Sequence, residues 1–225
     1  MQEANESWLS EGCLKRLETK YPHNHSCGKM GNIIAIYSKH KILRQESIDF
    51  ESMYNLSMAY TLSVDGEEVT VLNNHLETNN LSMDERDDFR DIVKGHVEAN
   101  DLKAKSRTLK GKLAEGALMR APQARLVAQY VNYHKGDDII LMGDFNDSPL
   151  SHTRHIIAQE LTDCFVNSGT GFGWSFSDSG MRVRIDNIMC SEGFTPVRCV
   201  VDTRHKYSDH FPMVCWLKKT GAKAE

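Results

Sequence analysis

Three acidic clusters in the second half of the chain have residue types suited to phosphate chemistry. They are Gly143-Asp144-Phe145-Asn146-Asp147, Arg184-Ile185-Asp186-Asn187 and Ser208-Asp209-His210. Each lies beside an apolar, strand-like run, at residues 139–142, 183–189 and 211–217. A carboxylate at the end of a buried strand is costly unless something positive pairs with it. Three such ends, one with a histidine attached, suggest a shared site for a hard cation and a phosphate. Asp144 and Asn146, two residues apart, fall on one side of an extended segment. Asp is an acceptor and a base, whereas Asn both donates and accepts. Such a pair can hold a water and a phosphate oxygen together. An Asx turn ahead of Pro149 is the plainer reading of the same residues. His210 can exchange a proton near neutral pH. Asp186, on another strand, could orient that imidazole by accepting its second N–H. His75, at the end of the run Val69-Thr70-Val71-Leu72-Asn73-Asn74, places a second imidazole at a strand terminus.

The elements that must carry these residues follow from periodicity and turn signals. A helix is expected over residues 6–20 and an isoleucine-rich strand over 31–38. Strands over 53–62 and 68–76 flank Asp65-Gly66, a hairpin signal. Residues 80–118 read as a helical excursion, acidic at first (Asp84, Glu85, Asp87, Asp88, Asp91) and then basic (Lys103, Lys105, Arg107, Lys110, Lys112). Its plain reading is a solvated helix with i,i+4 pairs, and its functional reading is a lid or substrate-contacting arm. A second helix is expected over 120–135, a buried strand over 138–143, and a short helix over 151–161 capped by Ser151. Strands over 183–190, 196–201 and 211–217 complete a mixed α/β domain. Residues 1–219 read as one domain, followed by a disordered tail at 220–225.

Composition narrows the function classes. The 225 residues suffice for one large domain with a substantial core. A net charge of −4 argues against a protein that coats nucleic acid nonspecifically, although a nuclease needs only local charge. Cys13, Cys27, Cys164, Cys190, Cys199 and Cys215 form no C-x-x-C pair. Cys190, Cys199 and Cys215 read as buried small hydrophobes, which favours a reducing compartment. No apolar window approaches the length of a membrane span. Ten histidines raise the possibility of a zinc hydrolase, but none shows H-E-x-x-H spacing on a helix.

Taken together, these motifs resemble the endonuclease/exonuclease/phosphatase superfamily, the fold of pancreatic deoxyribonuclease and exonuclease III-like enzymes. The matches occur in family order and cover nearly the whole chain. Met1-Gln2-Glu3 looks like the end of "LQE", and Gly31-Asn32-Ile33-Ile34-Ala35-Ile36 with Ser38 looks like "GNAILS". Asn73-Asn74-His75-Leu76 matches "NTHL", and Arg120-Ala121-Pro122-Gln123-Ala124 looks like "RxxQA". Gly143-Asp144-Phe145-Asn146 with Pro149 matches "GDFNxxP". Arg184-Ile185-Asp186 matches "RIDY", with Asn187 replacing the aromatic. Ser208-Asp209-His210 with Pro212 matches "SDHxPV". Residues 80–118 are the part that the resemblance explains least.

The resemblance implies an α/β fold, a two-sheet β-sandwich flanked by helices in four α/β/β/α layers. It implies hydrolysis of phosphoesters assisted by Mg²⁺ or Mn²⁺. Glu3 would bind the metal, with Asp209 next to it. Asp144 would position or deprotonate the attacking water, and Asn146 would hold a phosphate oxygen. His75 and His210 would stabilise charge on the pentavalent phosphate, with Asp186 orienting His210. The family strand that precedes "LQE" is missing, so a gap is expected beside Glu3. Bacterial relatives that carry hydrophobic helices upstream make membrane tethering of an intact protein an alternative to a cytoplasmic one. The expected partner of a monomer is a phosphate ester: nucleic acid, or a phospholipid or inositol headgroup. Phe172 and Trp174, in a glycine-rich loop, could stack on a base or pack under the loop. The competing reading from another class is a catalytically degenerate binding module of the same fold. Against it, the chain retains Asp144, Asn146, Asp186, Asp209 and His210 together.

Overall fold

The computed structural model describes residue 2 and residues 10–178, 181–205 and 207–221. Helix α1 (Glu11–Lys20) starts at Ser10, whose side chain accepts the Cys13 N–H. Strands β1 (His23–Lys29) and β2 (Asn32–Ser38) form a hairpin through Met30 and Gly31, both at positive φ. Strands β3 (Lys41–Ile48), β4 (Leu56–Val64) and β5 (Glu67–His75) form an antiparallel meander. Asp65 and Gly66, at φ 52° and 91°, make the expected tight turn between β4 and β5. Helices α2 (Met83–Lys94) and α3 (Ala99–Tyr133) lead to β6 (Ile139–Asp144), which returns parallel to β5. Two antiparallel strands can share a short turn, but a parallel pair needs such a crossover. There follow α4 (His152–Ile157), β7 (Thr162–Asp163), α5 (Cys164–Ser168), β8 (Phe176–Asp178), β9 (Met181–Val183), β10 (Asp186–Cys190), β11 (Phe194–Val201) and β12 (Met213–Lys219).

The main sheet has the order β3-β4-β5-β6-β10-β7, with β1–β2, β8–β9 and β11–β12 as separate ribbons. Alternating residues of β5 and β6 serve its two faces. Leu72 and Leu141 pack against Ala124, Val127 and Val131 of α3 and Ile157 of α4. Val71 and Ile140 face the other way, in a cluster with Ile34 of β2 and Met58 and Tyr60 of β4. Each fully buried aliphatic side chain here stabilises the fold by about 1.5–3 kcal/mol.

Three expectations change. The excursion and the helix expected at 120–135 are not separate: α3 runs 35 residues through Pro122. Proline removes one helical hydrogen bond, a loss of about 3 kcal/mol. Here the same helix anchors Ala124, Val127 and Val131 in the core beyond it. The strand expected over 183–190 is two strands. Arg184, 4% exposed, turns inward to make a forked pair with Asp163 at 3.0 and 3.3 Å, which breaks the extended run. Strands β1 and β3, polar along much of their length, had no apolar signal and are additional.

Glu3, and with it the expected gap, lies outside the described residues, as do residues 222–225 of the expected tail. Thr220 donates its N–H to Gly193 O at 2.9 Å. No helix among the described residues is long and apolar enough to cross a membrane.

Candidate active site

Strand register assembles the site. His75 ends β5 and is paired with Asp144, which ends β6. Asp144 is paired in turn with Asp186, which begins β10. One row across three neighbouring strands thus presents a histidine and two carboxylates at the same edge. Gly143 makes this row possible. Its φ is 148°, and a Cβ there would collide with the Asn74 backbone on the neighbouring strand.

The segment after β6 is held from several sides. Phe145 is fully buried and donates its N–H to Ile185 O at 3.0 Å. Asn146 sits at φ 50° and donates its N–H to Asp144 Oδ1 at 2.7 Å, the Asx turn that the sequence allowed. Its Nδ2 donates to Leu76 O at 2.9 Å. Beneath it, Arg120, 1% exposed, donates to Glu77 O and Asn79 Oδ1 at 2.9 Å each and to Asp147 Oδ2 at 3.3 Å. Asn79 Nδ2 then donates to Asn146 O at 3.1 Å. Ser175, fully buried, fixes the start of β10 by accepting the N–H groups of Ile185 and Asp186.

The two imidazoles converge on one oxygen. His75 Nε2 lies 4.0 Å and His210 Nε2 3.9 Å from Asp144 Oδ2. The other ring nitrogens have different partners. His210 Nδ1 donates to Asp186 Oδ2 at 2.9 Å, whereas Asn32 Nδ2 donates to His75 Nδ1 at 3.2 Å. The latter bond leaves the His75 proton on Nε2. Burial pushes the His75 pKa down to about 4; the His210 charge adds to this and Asp186 opposes it. Burial alone would also lower His210, but its bond to Asp186 and the charges of Asp186, Asp144 and Asp209 raise it to about 9. Without a bound cation, these shifts favour the imidazolium at His210 and the neutral imidazole at His75 near neutral pH.

His75, Asp144, Asn146, Asp209 and His210 line a single cavity of about 300 Å³. Asp186 does not line it and stands behind His210. Ligand atoms of Asp144, Asp186 and His210 lie within 4.8 Å of one another, close enough to share an ion. Two carboxylates suit a hard cation, and Asn32 on the same cavity adds a buried Oδ1 with no hydrogen-bond partner among the described residues. Asp209 lies outside that trio. Gln2, the neighbour of Glu3 in the chain, donates to Asn73 Oδ1 at 2.6 Å, near the end of β5.

Sequence reasoning missed several contributors. Asn32 was noted only as part of a strand motif, and Ser175 and Asn79 gave no signal of their own. Arg86 of α2 also lines the cavity. Its only mark in the sequence was a cation among the acidic residues at 84–91.

The family model described as Endonuclease/Exonuclease/phosphatase family matches residues 1–210. The chain belongs to this family. Danio rerio TDP2 complexed with a single-strand DNA product shares the fold of this family member, with a TM-score of 0.61 and 15% identity over 97% of this chain and 84% of that one. The human Nocturnin catalytic domain with bound sulfate gives 0.61 and 14% over 97% and 79%. A mannosyl-6-phosphatase from Bacteroides thetaiotaomicron gives 0.56 and 17% over 92% and 81%. No curated protein sequence matches the chain significantly. Likeness at this identity concerns the fold, and substrates differ widely on one fold.

Proposed function

We propose that the chain is a divalent-metal-dependent phosphoester hydrolase, a phosphodiesterase, nuclease or phosphatase. The observation that carries this reading is the convergence of His75 and His210 on Asp144 Oδ2, with Asp186 behind His210. Asp144 accepts a hydrogen bond from the attacking water and draws off its proton. Asn146 retains a second amide hydrogen for a phosphoryl oxygen. His75, neutral, donates from Nε2 to another. His210, as an imidazolium, neutralises the growing charge, and Asp186 keeps its Nδ1–H in place. Glu3 and Asp209 are the carboxylates that would hold the cation; the Asp144, Asp186 and His210 trio could share an ion only with His210 as a neutral imidazole, so in this mechanism His210 is not a ligand. Mg²⁺ or Mn²⁺ fits these oxygens and would supply charge neutralisation at the phosphoryl group.

The β1–β2 and β11–β12 ribbons serve as the second layer of a two-sheet sandwich, and the domain spans residues 1–219. The substrate is a phosphate ester drawn from nucleic acid or from a phospholipid or inositol headgroup. The test is a screen of bis(p-nitrophenyl) phosphate, p-nitrophenyl phosphate and single-stranded DNA, with Mg²⁺, with Mn²⁺ and with EDTA. Hydrolysis of at least one substrate is expected, lost in EDTA and in Asp144→Ala and His210→Ala. Unchanged hydrolysis in both variants would sink the assignment.

A further inference from the structure

Helix α2 brings one residue into the cavity that the catalytic row does not use. Arg86 is the only lysine or arginine among the described residues that line it. Its placement is built from both sides of the helix. Glu85 and Asp88 face α3, paired with Lys112 at 2.8 Å and Lys105 at 2.6 Å. Lys112 also donates to Asn80 O, and a capping box at Ser82 fixes the first turn. Arg86 is turned about 100° from Glu85 around the helix and therefore faces away from α3. It meets the β8–β9 ribbon, where its Nη1 donates to Asp178 Oδ2 at 2.8 Å. Its guanidinium lies 5.7 Å from the Phe176 ring centroid, and the His210 ring meets the same Phe176 edge-on at 5.1 Å.

Arg86 and His210 thus share Phe176 as a neighbour, and their separation is bounded by those two contacts. One scissile phosphate at the catalytic row does not need a guanidinium a ring away. A second anionic group on the same substrate would find there the only lysine or arginine among the described lining residues. The Arg86–Asp178 pair is about one third exposed on both sides, so solvent screens it and leaves it weak. A phosphate dianion offers a forked, more strongly charged acceptor to the same guanidinium. Asp178 then acts as the counterion that keeps Arg86 aimed while the cavity is empty.

We infer that Arg86, Phe176 and Asp178 form a second phosphate subsite, which selects substrates carrying another phosphate beside the scissile one. This rests on the hydrolase reading for the first subsite. The shared chemistry is a substrate with two phosphates, and its two sources are a nucleic-acid strand and an inositol phosphate.

The test uses two matched ligand pairs: thymidine dinucleotide with and without a 5′-phosphate, and inositol 1,4-bisphosphate against inositol 1-phosphate. Binding is measured by calorimetry in Mg²⁺ on an Asp144→Asn chain, and KM on the active one. One pair is expected to show tighter binding of its two-phosphate member, and that pair identifies the source. Arg86→Ala should reduce this preference about tenfold, and Arg86→Lys should restore part of it. Asp178→Asn, which frees Arg86 from its counterion, should strengthen the preference, a gain that a merely structural ion pair would not produce. Equal binding of both members in both pairs, or an Arg86→Ala loss equal for both members, overturns the subsite. Discrimination in binding without turnover of any of these ligands or of the three screening substrates would overturn the hydrolase reading and leave the subsite standing.

Discussion

His210 Nδ1 lies 2.9 Å from Asp186 Oδ2, and Asp186 itself does not line the cavity. On the proposed mechanism the carboxylate acts on substrate through the imidazole. It holds the ring orientation, fixes the proton on Nδ1 and favours the charged form. Asp186→Asn should preserve the fold, lower kcat by about 10–100-fold and leave KM nearly unchanged. In the metal-free chain it should also bring the His210 pKa down from about 9, visible in an NMR titration of the imidazole protons. An unshifted His210 titration would show that Asp186 has no hold on it.

The two histidines give stability opposite pH slopes. His210 binds its proton more tightly in the folded chain than at the ordinary 6.5, so its contribution is complete below 6.5 and lost as pH rises through about 9. Its size is at most about 3 kcal/mol. His75 is the reverse: the unfolded chain protonates first, so stability falls as pH drops from 6.5 through about 4. Denaturation of the metal-free chain against His210→Gln should show the difference shrinking between pH 6.5 and 9. A difference that is flat over that window would contradict the assignment.

Gly143→Ala should be among the most damaging small substitutions. The added methyl meets the Asn74 backbone on the adjoining strand, and φ of 148° is strained for any L side chain. Relief requires β5 and β6 to separate at the point where they carry His75 and Asp144. A loss of roughly 3 kcal/mol or more, seen in the urea midpoint, is expected together with lost activity. Gly12→Ala, with nothing near its Cβ and no positive φ, serves as the control and should be neutral or slightly stabilising.

Much of this site was legible because strand ends and turns speak through local chemistry. The apolar run into Asp144, the Asp65-Gly66 turn and the Ser151 cap each rest on neighbouring residues alone. So do the side chains of His75, Asp186 and His210, whose types and order carried the family resemblance. What stayed hidden depends on distant partners. Strand β3 alternates poorly because most of its residues are exposed, so no periodicity marks it. Arg184 looked like part of a strand because only Asp163, far away in sequence, explains why an arginine goes inside. A separate helix is expected to begin at Arg120, two residues before Pro122, since the core contacts that carry α3 through the proline are tertiary. Arg86 had the least signal: its meaning comes from where α2 lies against β8.

Arg120→Met probes how far the buried arginine supports Asn146. The guanidinium is enclosed and satisfies the Glu77 carbonyl, Asn79 and Asp147 at once. Methionine fills similar space but leaves Asp147 without its cation and Asn79 Oδ1 without a donor. Stability should fall by about 3 kcal/mol, read from the denaturant midpoint. Because Asn79 in turn donates to Asn146 O, the turn that presents Asn146 to the cavity should loosen. Hydrolysis by the folded fraction should then drop as well, through kcat more than KM. Arg120→Lys keeps the charge but not the fork, so it should recover stability only in part and leave the kcat defect. Full recovery of kcat in the lysine variant would show that charge alone, not the forked contacts to Asn79 and Glu77, holds this turn.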